Sequence, residues 1–479
     1  MGSPFQKRHS GALGVSQVLL KLYHRMPTHM RSVAATMRGA YLRSWRYGPT
    51  TDSLVAAAIE REHWSPETWK AWREERLARV LHRAASKVPY YREQWKARRR
   101  RGDLASWEYL ENWPVLEKEA LRTVPRSFVA DDCDIKHMYH EHTSGTTGKS
   151  LDLWWSRKMV REWYALFEAR WRQWYGVSRH DRWTILGGQL VTPVSQIVPP
   201  FWVWNAALNQ LYMSSYHLSP SLIPHYLDAL IRYRIRYIWA YSSSVFALAQ
   251  EALQLCDSRV KLEVVVTNAE PLFEYQRETI SKAFACPVRE TYGMSEAVAA
   301  AGECEAGALH YWPEVGWIET LEDGVPTQPG GLGDLICTGL LNSDMPLIRY
   351  RVGDRGALVD CDVTCSCGRT LPQMAKVEGR IDDVLYTLDG RRIGRLDPIF
   401  KANLPVREAQ IVQETLSRIV VRYVPAQGFT AESAMSITER LQERMGQVEV
   451  LLQEVSEVPR TANGKFRAVI CNVPRSELP

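Results

Sequence analysis

The sequence predicts an α/β protein with a large N-terminal domain of several subdomains and a small α+β domain at its C-terminus. Segments typical of strands and of helices alternate between residues 183 and 291, which indicates mostly parallel sheets with helices on their faces. From residue 307 onward, short apolar segments alternate with glycine- and proline-rich turns, as in a β-rich subdomain. The length of 479 residues fits this division, and we place the boundary between 1–378 and 379–479.

The first part of the N-terminal domain, 1–110, is predicted to be mainly helical. Apolar residues recur at helical spacing within 11–48, where Pro27 divides the segment. Ser65-Pro66-Glu67 is typical of a helix start, with serine as the cap and proline in the first turn, and it predicts helices over 64–101.

The remaining segments were assigned by periodicity and by their enrichment in β-branched and aromatic residues. Predicted strands cover 136–141, 151–155, 183–186, 237–239, 263–267, 288–291, 411–414 and 419–423. Predicted helices cover 157–175, 220–233, 242–255, 273–284 and 432–445.

The composition is ordinary for a soluble globular enzyme, with 45% hydrophobic and 24% charged residues. No stretch reaches the roughly 18 consecutive apolar residues that a membrane span needs. The N-terminus also lacks the apolar core and cleavage site of a signal peptide. We therefore expect a cytoplasmic protein, in which nine cysteines indicate reduced thiols or metal ligands rather than disulfides.

The positive charge is concentrated at the N-terminus, where residues 1–51 contain no Asp or Glu but several Lys and Arg. Such segments bind nucleic acid or anionic membrane surfaces. A solvated face that aids solubility is the simpler explanation, because no recognisable nucleic-acid reader accompanies the charge. We expect no nucleic-acid partner and no transmembrane segment. A membrane-surface contact of the basic N-terminus and a homodimer stay open.

A loop between two predicted strands, Thr143-Ser144-Gly145-Thr146-Thr147-Gly148-Lys149, has the composition of a phosphate-binding loop. Its glycines let main-chain N–H groups converge on an anion, and its hydroxyls and lysine add donors and charge. It is not a Walker loop, because the first glycine of that pattern would fall at position 143, which is threonine. Taken alone, the loop is equally consistent with a flexible surface segment.

Polar residues follow predicted strands at three further places. Tyr292-Gly293-Met294-Ser295-Glu296 comes after one strand, and Asn268-Ala269-Glu270 after the preceding one. The carboxyl ends of parallel strands form the crevice where such sheets bind ligands. Glu296 is suited to hold Mg²⁺, and Tyr292 to stack on a base. Asp354, expected at a strand end, is suited to ribose hydroxyls, or else is an ordinary turn residue.

Two motifs belong to the C-terminal segment. Gly379-Arg380-Ile381-Asp382-Asp383 is either a hinge or an ordinary linker. Further on, the Asn463-Gly464 turn presents Lys465 at a loop tip, where a lysine is usually just solvated.

Three cysteines and a histidine form a candidate zinc set: Cys304, His310, Cys365 and Cys367. Four nitrogen and sulfur ligands with no open position would make a structural site. Cys361 competes for one of the four places. The alternative is a group of reduced loop cysteines beside a core histidine.

As an ordered set, these motifs resemble the adenylate-forming superfamily, which includes acyl-CoA synthetases and luciferases. The motifs are the Thr143–Lys149 loop, Tyr-Gly-x-Ser-Glu at 292–296, Tyr-Arg-x-Gly-Asp at 350–354, Gly-Arg-x-Asp-Asp at 379–383 and the Gly-Lys at 464–465. The segments 88–92, 113–118 and 365–372 resemble the phenylacetate–CoA ligase branch. Pro200-Phe201-Trp202 and the 214–219 segment resemble its capsular-polysaccharide-biosynthesis subgroup.

The resemblance implies a role for each of these residues. The loop from Thr143 to Lys149 would wrap the ATP phosphates, Glu296 would hold Mg²⁺, and Lys465 would bridge the acid and the α-phosphate. The nucleoside site would consist of Asn268, Ala269, Glu270, Tyr292, Gly293, Asp354 and Arg380. Asp382 would be the pivot about which the small, mobile C-terminal lid rotates. Some members of the branch carry a similar Cys/His group. Trp239, Tyr241 and Ser243 are further candidates for lining the acid pocket.

The expected function is ATP-dependent activation of a small carboxylic acid to an acyl-adenylate, followed by transfer to coenzyme A. The first alternative keeps adenylation but transfers the acyl group to an amine or hydroxyl acceptor. The second alternative is an inactive scaffold, or a nucleic-acid or membrane-surface binder that uses the basic N-terminus. The presence of Lys465, Glu296 and Asp354 argues against loss of activity.

Overall fold

The computed structural model describes most of the chain. It covers residues 19–142, 151–270, 272, 274–360, 363–378, 385–393, 396, 399, 404–426, 428–456, 458–459 and 469–474. The 143–150 loop, the 379–384 motif, Cys361 and Lys465 therefore lie outside the described residues.

Most helices begin and end at residues that explain their bounds. The helices are α1 (19–25), α2 (Thr28–Arg46), α3 (Thr51–Arg61), α4 (Pro66–Lys87), α5 (Pro89–Arg100), α6 (Lys118–Thr123), α7 (Arg157–Trp171), α8 (Ile223–Arg232), α9 (Ser242–Gln254), α10 (Glu274–Phe284) and α11 (Ala431–Met445). Pro27 separates α1 from α2, and the Ser65 hydroxyl accepts from the Thr68 N–H at the start of α4. The Ser156 hydroxyl caps α7 in the same way. No helix in the described part of the chain is both long and apolar enough to cross a membrane.

Strands account for the rest of the regular structure. In the N-terminal part they are β1 (Tyr139–His142), β2 (Asp152–Trp155), β3 (Trp183–Gly187), β4 (Trp202–Asn205), β5 (Gln210–Ser214), β6 (Tyr237–Ala240), β7 (Val264–Thr267), β8 (Val288–Gly293), β9 (Ala300–Glu303), β10 (Leu309–Tyr311), β11 (Gly316–Glu322), β12 (Val325–Pro326), β13 (Gly333–Gly339), β14 (Tyr350–Leu358) and β15 (Gln373–Glu378). In the C-terminal part they are β16 (Leu385–Tyr386), β17 (Arg392–Ile393), β18 (Val406–Thr415), β19 (Arg418–Pro425), β20 (Glu449–Glu454) and β21 (Val469–Cys471).

One sheet of thirteen strands runs through the N-terminal part, in the order β12-β11-β13-β14-β15-β10-β9-β8-β7-β6-β3-β5-β4. Strands β8, β7, β6, β3 and β5 pair in parallel, as the alternation of segments predicts, and β4 closes that edge antiparallel. From β8 to β12 every pairing is antiparallel. This β-rich half and the parallel half confirm the predicted fold class.

The C-terminal part has its own sheet, in the order β20-β19-β18-β21, with α11 against it. Its core contains Ile411, Val421 and Ile437, all fully buried. The same cluster includes Val194 and Tyr216, and the Arg391 guanidinium donates to the Tyr216 carbonyl oxygen. The small part therefore packs on the 190–217 segment of the large one.

The structure corrects several predicted bounds. Residues 135–137 form a 3-10 turn, so the strand predicted from 136 begins at Tyr139. The helix α7 ends at Trp171, because residues 173–175 continue as a 3-10 turn up to Gly176, whose φ of 71° ends it. The strand β8 continues to Gly293, so Tyr292 lies inside it rather than after it.

Candidate functional site

A cavity of about 380 Å³ opens where β6, β7 and β8 end, beneath α7 and α2. Residues at those strand ends line one side of it: Trp239, Asn268, Ala269, Thr291, Gly293, Met294 and Ser295. Side chains of α2, β1, β2 and α7 line the other side: Leu42, Trp45, Arg46, Tyr139, Glu141, Trp155, Val160, Trp163, Tyr164, Phe167 and Trp171. The walls are therefore largely aromatic, with polar groups at the carboxyl edge of the sheet.

Asn268 is held rigidly at this edge. Its side-chain oxygen accepts from Trp239 Nε1 at 2.9 Å, and its side-chain nitrogen donates to the Ala240 carbonyl at 3.0 Å. The next residue, Ala269, has a φ of 64°, which a residue with a Cβ rarely adopts. Such backbone strain tends to occur at functional sites, where the surrounding structure imposes it.

Tyr292 and Asp354 meet although 61 residues separate them along the chain. The Tyr292 hydroxyl donates to Asp354 Oδ2 at 2.9 Å. Asp354 lies within β14, not at a strand end as the sequence suggested, because β14 continues to Leu358. The hydrogen bond joins the two halves of the sheet beside the carboxyl end of β8.

Glu296 is a buried carboxylate, 8% exposed, just beyond β8. The Tyr350 hydroxyl donates to its Oε1 at 3.0 Å, and Lys118 Nζ lies 3.4 Å from the same atom. These contacts orient the carboxylate. An oriented carboxylate supplies the hard oxygen ligand that Mg²⁺ prefers, so this residue fits the metal.

The predicted phosphate loop lies outside the described residues, but the structure describes both of its ends. His142 of β1 pairs with Asp152 of β2, so the loop closes an antiparallel pair of strands. Glu141, the residue before His142, lines the cavity. The two strands that flank the loop therefore contribute Glu141 and Trp155 to the cavity. Arg380, Asp382 and Lys465 lie outside the described residues, and their roles remain predictions.

The four predicted zinc ligands come together. Cys304 and His310 flank the β9–β10 turn, while Cys365 and Cys367 lie in the loop before β15, which pairs with β10. All four ligand atoms lie within 4.8 Å of one another. The Cys304 and Cys365 sulfurs are 3.7 Å apart, and Cys367 Sγ is 3.4 Å from His310 Nε2.

The histidine is arranged for ligation through Nε2. Its Nδ1 lies 2.8 Å from the Leu371 carbonyl oxygen, which fixes Nδ1 as the protonated nitrogen. Burial lowers the pKa of His310, which favours the neutral form that a metal needs.

A buried ion network that the sequence did not indicate lies beside this cluster. Arg170 is fully buried and pairs with Glu314 at 2.8 Å and Glu62 at 3.3 Å. Arg369, two residues after Cys367, pairs with Glu62 at 3.1 Å. These ion pairs connect the loop that contains Cys365 and Cys367 to α3 and α7. Each buried charge in the network has a partner of opposite sign.

Glu290, on β8 next to the site, gives a pH-dependent prediction. Burial, reinforced by the nearby Glu303, raises its pKa to about 7, so the native state keeps a proton that the unfolded chain loses near its ordinary value of 4.5. The stability that Glu290 contributes is therefore present at pH 4.5 and is lost as the pH rises through 7. We expect Glu290→Gln to stabilise the protein by about 2 kcal/mol at pH 8 and by little at pH 4.5.

Urea unfolding at both pH values measures this difference, with Glu278→Gln on the exposed face of α10 as the control. Equal effects of Glu290→Gln at the two pH values would contradict the assignment.

The sequence identified the strand-end residues of the cavity but missed its other wall. Trp155, Trp163 and Trp171 are buried in the core and also line the cavity. Trp239 lines the cavity as expected, whereas Tyr241 lies against Gly187 and Gly188 instead. The side chain of Ser243 is outside the described part. No pattern in the sequence indicates that Arg46 belongs to the site, because only the packing of α2 on α7 brings this residue into the cavity.

Comparison with known proteins gives relatives in both sequence and fold. Residues 385–472 match the family described as the CapK C-terminal domain. Protein CapK of Staphylococcus aureus is 26% identical, over 69% of this chain and 74% of its own. The phenylacetate–coenzyme A ligase of Thermus thermophilus is also 26% identical, over 84% of this chain and 96% of its own. A crystal structure of 2-hydroxyisobutyryl-CoA ligase with 2-HIB-AMP and CoA has a TM-score of 0.54 at 19% identity, covering 86% of this chain and 91% of that one.

The fold is therefore that of the acyl-CoA ligase structure. In sequence, the chain is similar to phenylacetate–CoA ligases and to CapK, and its C-terminal part matches the CapK C-terminal domain.

Proposed function

We propose that this protein uses ATP to convert a small carboxylic acid to its acyl-adenylate and then transfers the acyl group to coenzyme A. The observation that carries the proposal is the arrangement at the carboxyl ends of β7 and β8: Asn268 lines the cavity, Tyr292 donates to Asp354, and Glu296 accepts from Tyr350. The similarity to a phenylacetate–coenzyme A ligase, over 84% of this chain and 96% of that one, supports it.

The proposed roles follow the chemistry of each group. Asn268, Ala269 and Glu270 border the adenine, with Tyr292 and Gly293 on β8 beside it, and Asp354 accepts hydrogen bonds from ribose hydroxyls. The Tyr292–Asp354 hydrogen bond would set the carboxylate in place before the nucleotide arrives. Glu296 would hold Mg²⁺, whose positive charge stabilises the departing pyrophosphate.

The aromatic cavity is the proposed binding site of the carboxylic acid. Its carboxylate must reach the α-phosphate at the carboxyl edge of the sheet, where Asn268 and Ser295 lie. The aromatic walls would bind the rest of the molecule and exclude water from the reactive acyl-adenylate. Ordering the acid there also removes the entropy cost of a bimolecular encounter.

The C-terminal part, 379–479, is proposed to act as a lid. It would rotate about Asp382, bringing Lys465 to the acid and the α-phosphate for adenylation and withdrawing it for transfer. Its described contacts with the large domain include Arg391 and Arg444 against Tyr216, and Val194 in the shared apolar cluster.

Isotopic pyrophosphate exchange over aryl, fatty and amino acids tests this function. Exchange that depends on an added acid is the expected result, and no exchange with any acid would count against it. Competition between coenzyme A and hydroxylamine for the activated acyl group then separates thioester formation from transfer to an amine.

We also propose that Cys304, His310, Cys365 and Cys367 hold a structural zinc ion. A tetrahedral ion with Zn–S bonds of about 2.3 Å would place two sulfurs about 3.8 Å apart, and a sulfur and a nitrogen about 3.6 Å apart. The observed separations of 3.7 and 3.4 Å fit that requirement. The ion would join two segments that are distant in sequence, the β9–β10 turn and the loop before β15.

We expect about one zinc per chain in protein purified without chelator. The double variant Cys365→Ser/Cys367→Ser should lose the metal and melt about 5 °C or more lower, because the cross-link between the two loops is gone. Elemental analysis and a thermal melt measure both effects. Cys256→Ser, at an exposed thiol, is the control. Zinc retained at full occupancy by the double variant would rule out this ligand set.

A further inference from the structure

Arg46 places a guanidinium among the aromatic walls of the cavity. Its Cζ lies over the Tyr164 ring, 4.4 Å from the ring centre. Within the part of the chain that the structure describes, Arg46 has neither a carboxylate partner nor a hydrogen-bond acceptor. By contrast, the two terminal nitrogens of Arg31, on the same helix, donate to Thr192, Thr28 and Gln196.

An unpaired cation in such a place is costly. Removing a guanidinium from water without a hydrogen-bonding partner costs free energy, and an aromatic face returns only part of it. If this side chain served only in packing, an uncharged residue would avoid that free-energy cost. The arrangement is therefore typical of a group whose partner is a ligand.

The fold shows which end of the cavity Arg46 occupies. Asn268 and Ser295 lie at the carboxyl edge of the parallel sheet. Arg46 also lines a second cleft of about 540 Å³, together with Trp183, the first residue of β3, and Asn209, which precedes β5. That cleft lies at the amino edge. Because strands of this length span roughly 15 Å, Arg46 lies toward the end of the cavity remote from the site of activation.

The second cleft adds positive charge behind Arg46. Arg43, Arg172, Arg179 and His180 line it as well. Glu168 pairs with Arg172 and Arg179, and Asp52 also pairs with Arg179 at 2.6 Å. Arg43 contacts the Ala207 carbonyl and has no carboxylate partner among the described residues. The surplus charge favours an anion at this end of the cavity.

Resting on the proposed function, we propose that the substrate is a dianionic acid with an aromatic or apolar middle, whose distal carboxylate or equivalent anion binds Arg46. One carboxyl group would be activated at the carboxyl edge, and the other would pair with the guanidinium in the bidentate geometry that arginine favours. Arg46 is then the residue that selects diacids over monoacids.

The test uses pairs of acids that differ only at the distal group. Terephthalate, 4-carboxyphenylacetate and 4-carboxycinnamate are each compared with their 4-methyl counterparts. Binding is measured without ATP from the fluorescence of the cavity tryptophans, and pyrophosphate exchange is measured in parallel. The variants are Arg46→Met, which keeps the length of the side chain, and Arg46→Lys, which keeps its charge. Arg38→Met, at an exposed position of α2, is the control.

We expect the wild type to bind at least one diacid about 10-fold more tightly than its 4-methyl partner. Arg46→Met should weaken diacid binding by about 10- to 100-fold and change monoacid binding less than 3-fold, and Arg46→Lys should restore part of the loss. No preference in any pair, or an equal loss for both acids in Arg46→Met, would overturn the inference. Diacid binding that depends on Arg46 without any exchange would support this site but contradict the proposed adenylation.

Discussion

Replacing Lys465 by alanine is expected to slow acyl-adenylate formation by about 10²-fold or more. Attack of a carboxylate on the α-phosphorus concentrates negative charge on the bridging and non-bridging oxygens, and a preorganised cation there stabilises the transition state more than the substrates. The resemblance that covers the Gly464-Lys465 pair assigns this cation to Lys465. Pyrophosphate exchange with the most active acid measures the loss.

The second half-reaction provides the internal control for this variant. If the lid withdraws Lys465 before transfer, coenzyme A should still react with a supplied acyl-adenylate at a rate within a few-fold of the wild type. Lys282→Ala, at an exposed position of α10, should leave both steps unchanged. Exchange by Lys465→Ala near the wild-type rate would remove Lys465 from the chemistry.

The second large effect is expected for Glu296→Gln, which should lower adenylation by about 10²-fold and raise the Mg²⁺ concentration needed for half-maximal rate. The amide keeps the shape of the side chain and can still accept from the Tyr350 hydroxyl, but it loses the charge that a divalent cation requires. Lys118 Nζ lies 3.4 Å from this carboxylate, and with the negative charge removed its own positive charge further disfavours a cation nearby. Exchange rates across a magnesium titration measure both changes.

A purely structural role for Glu296 would give a different pattern. Loss of the buried charge pair would then lower the melting temperature and leave the magnesium dependence unchanged. Tyr350→Phe is the matched variant, because it removes only the hydroxyl that orients Glu296. We expect it to cost less than 10-fold and to shift the magnesium requirement in the same direction.

Local patterns predicted the architecture well, and the reason lies in periodicity. The alternation of strand-like and helix-like segments between 183 and 291 predicted the parallel half of the sheet, and Ser65 predicted the start of α4. Two short spacings indicated the Cys/His group, although only the pairing of β10 with β15 brings its two halves together.

Features set by distant packing were beyond the sequence. Asp354 was placed at a strand end because a glycine precedes it, yet β14 continues to Leu358 along β15. The wall of the cavity combines side chains from α2 and α7, and nothing in either helix reveals that Arg46 would enter it. The buried Arg170–Glu314 pair likewise joins residues that no local pattern connects.

The position of β8 has a consequence for how this enzyme unfolds. This strand pairs with β7 in parallel on one edge and with β9 antiparallel on the other. Dividing the protein between residues 294 and 299 would separate β8 from β9 and leave an unpaired sheet edge on each half. Neither half is therefore an independent cooperative unit. The parallel and antiparallel halves should therefore melt in a single transition, and the candidate site residues, which both halves contribute, should be lost together rather than one by one.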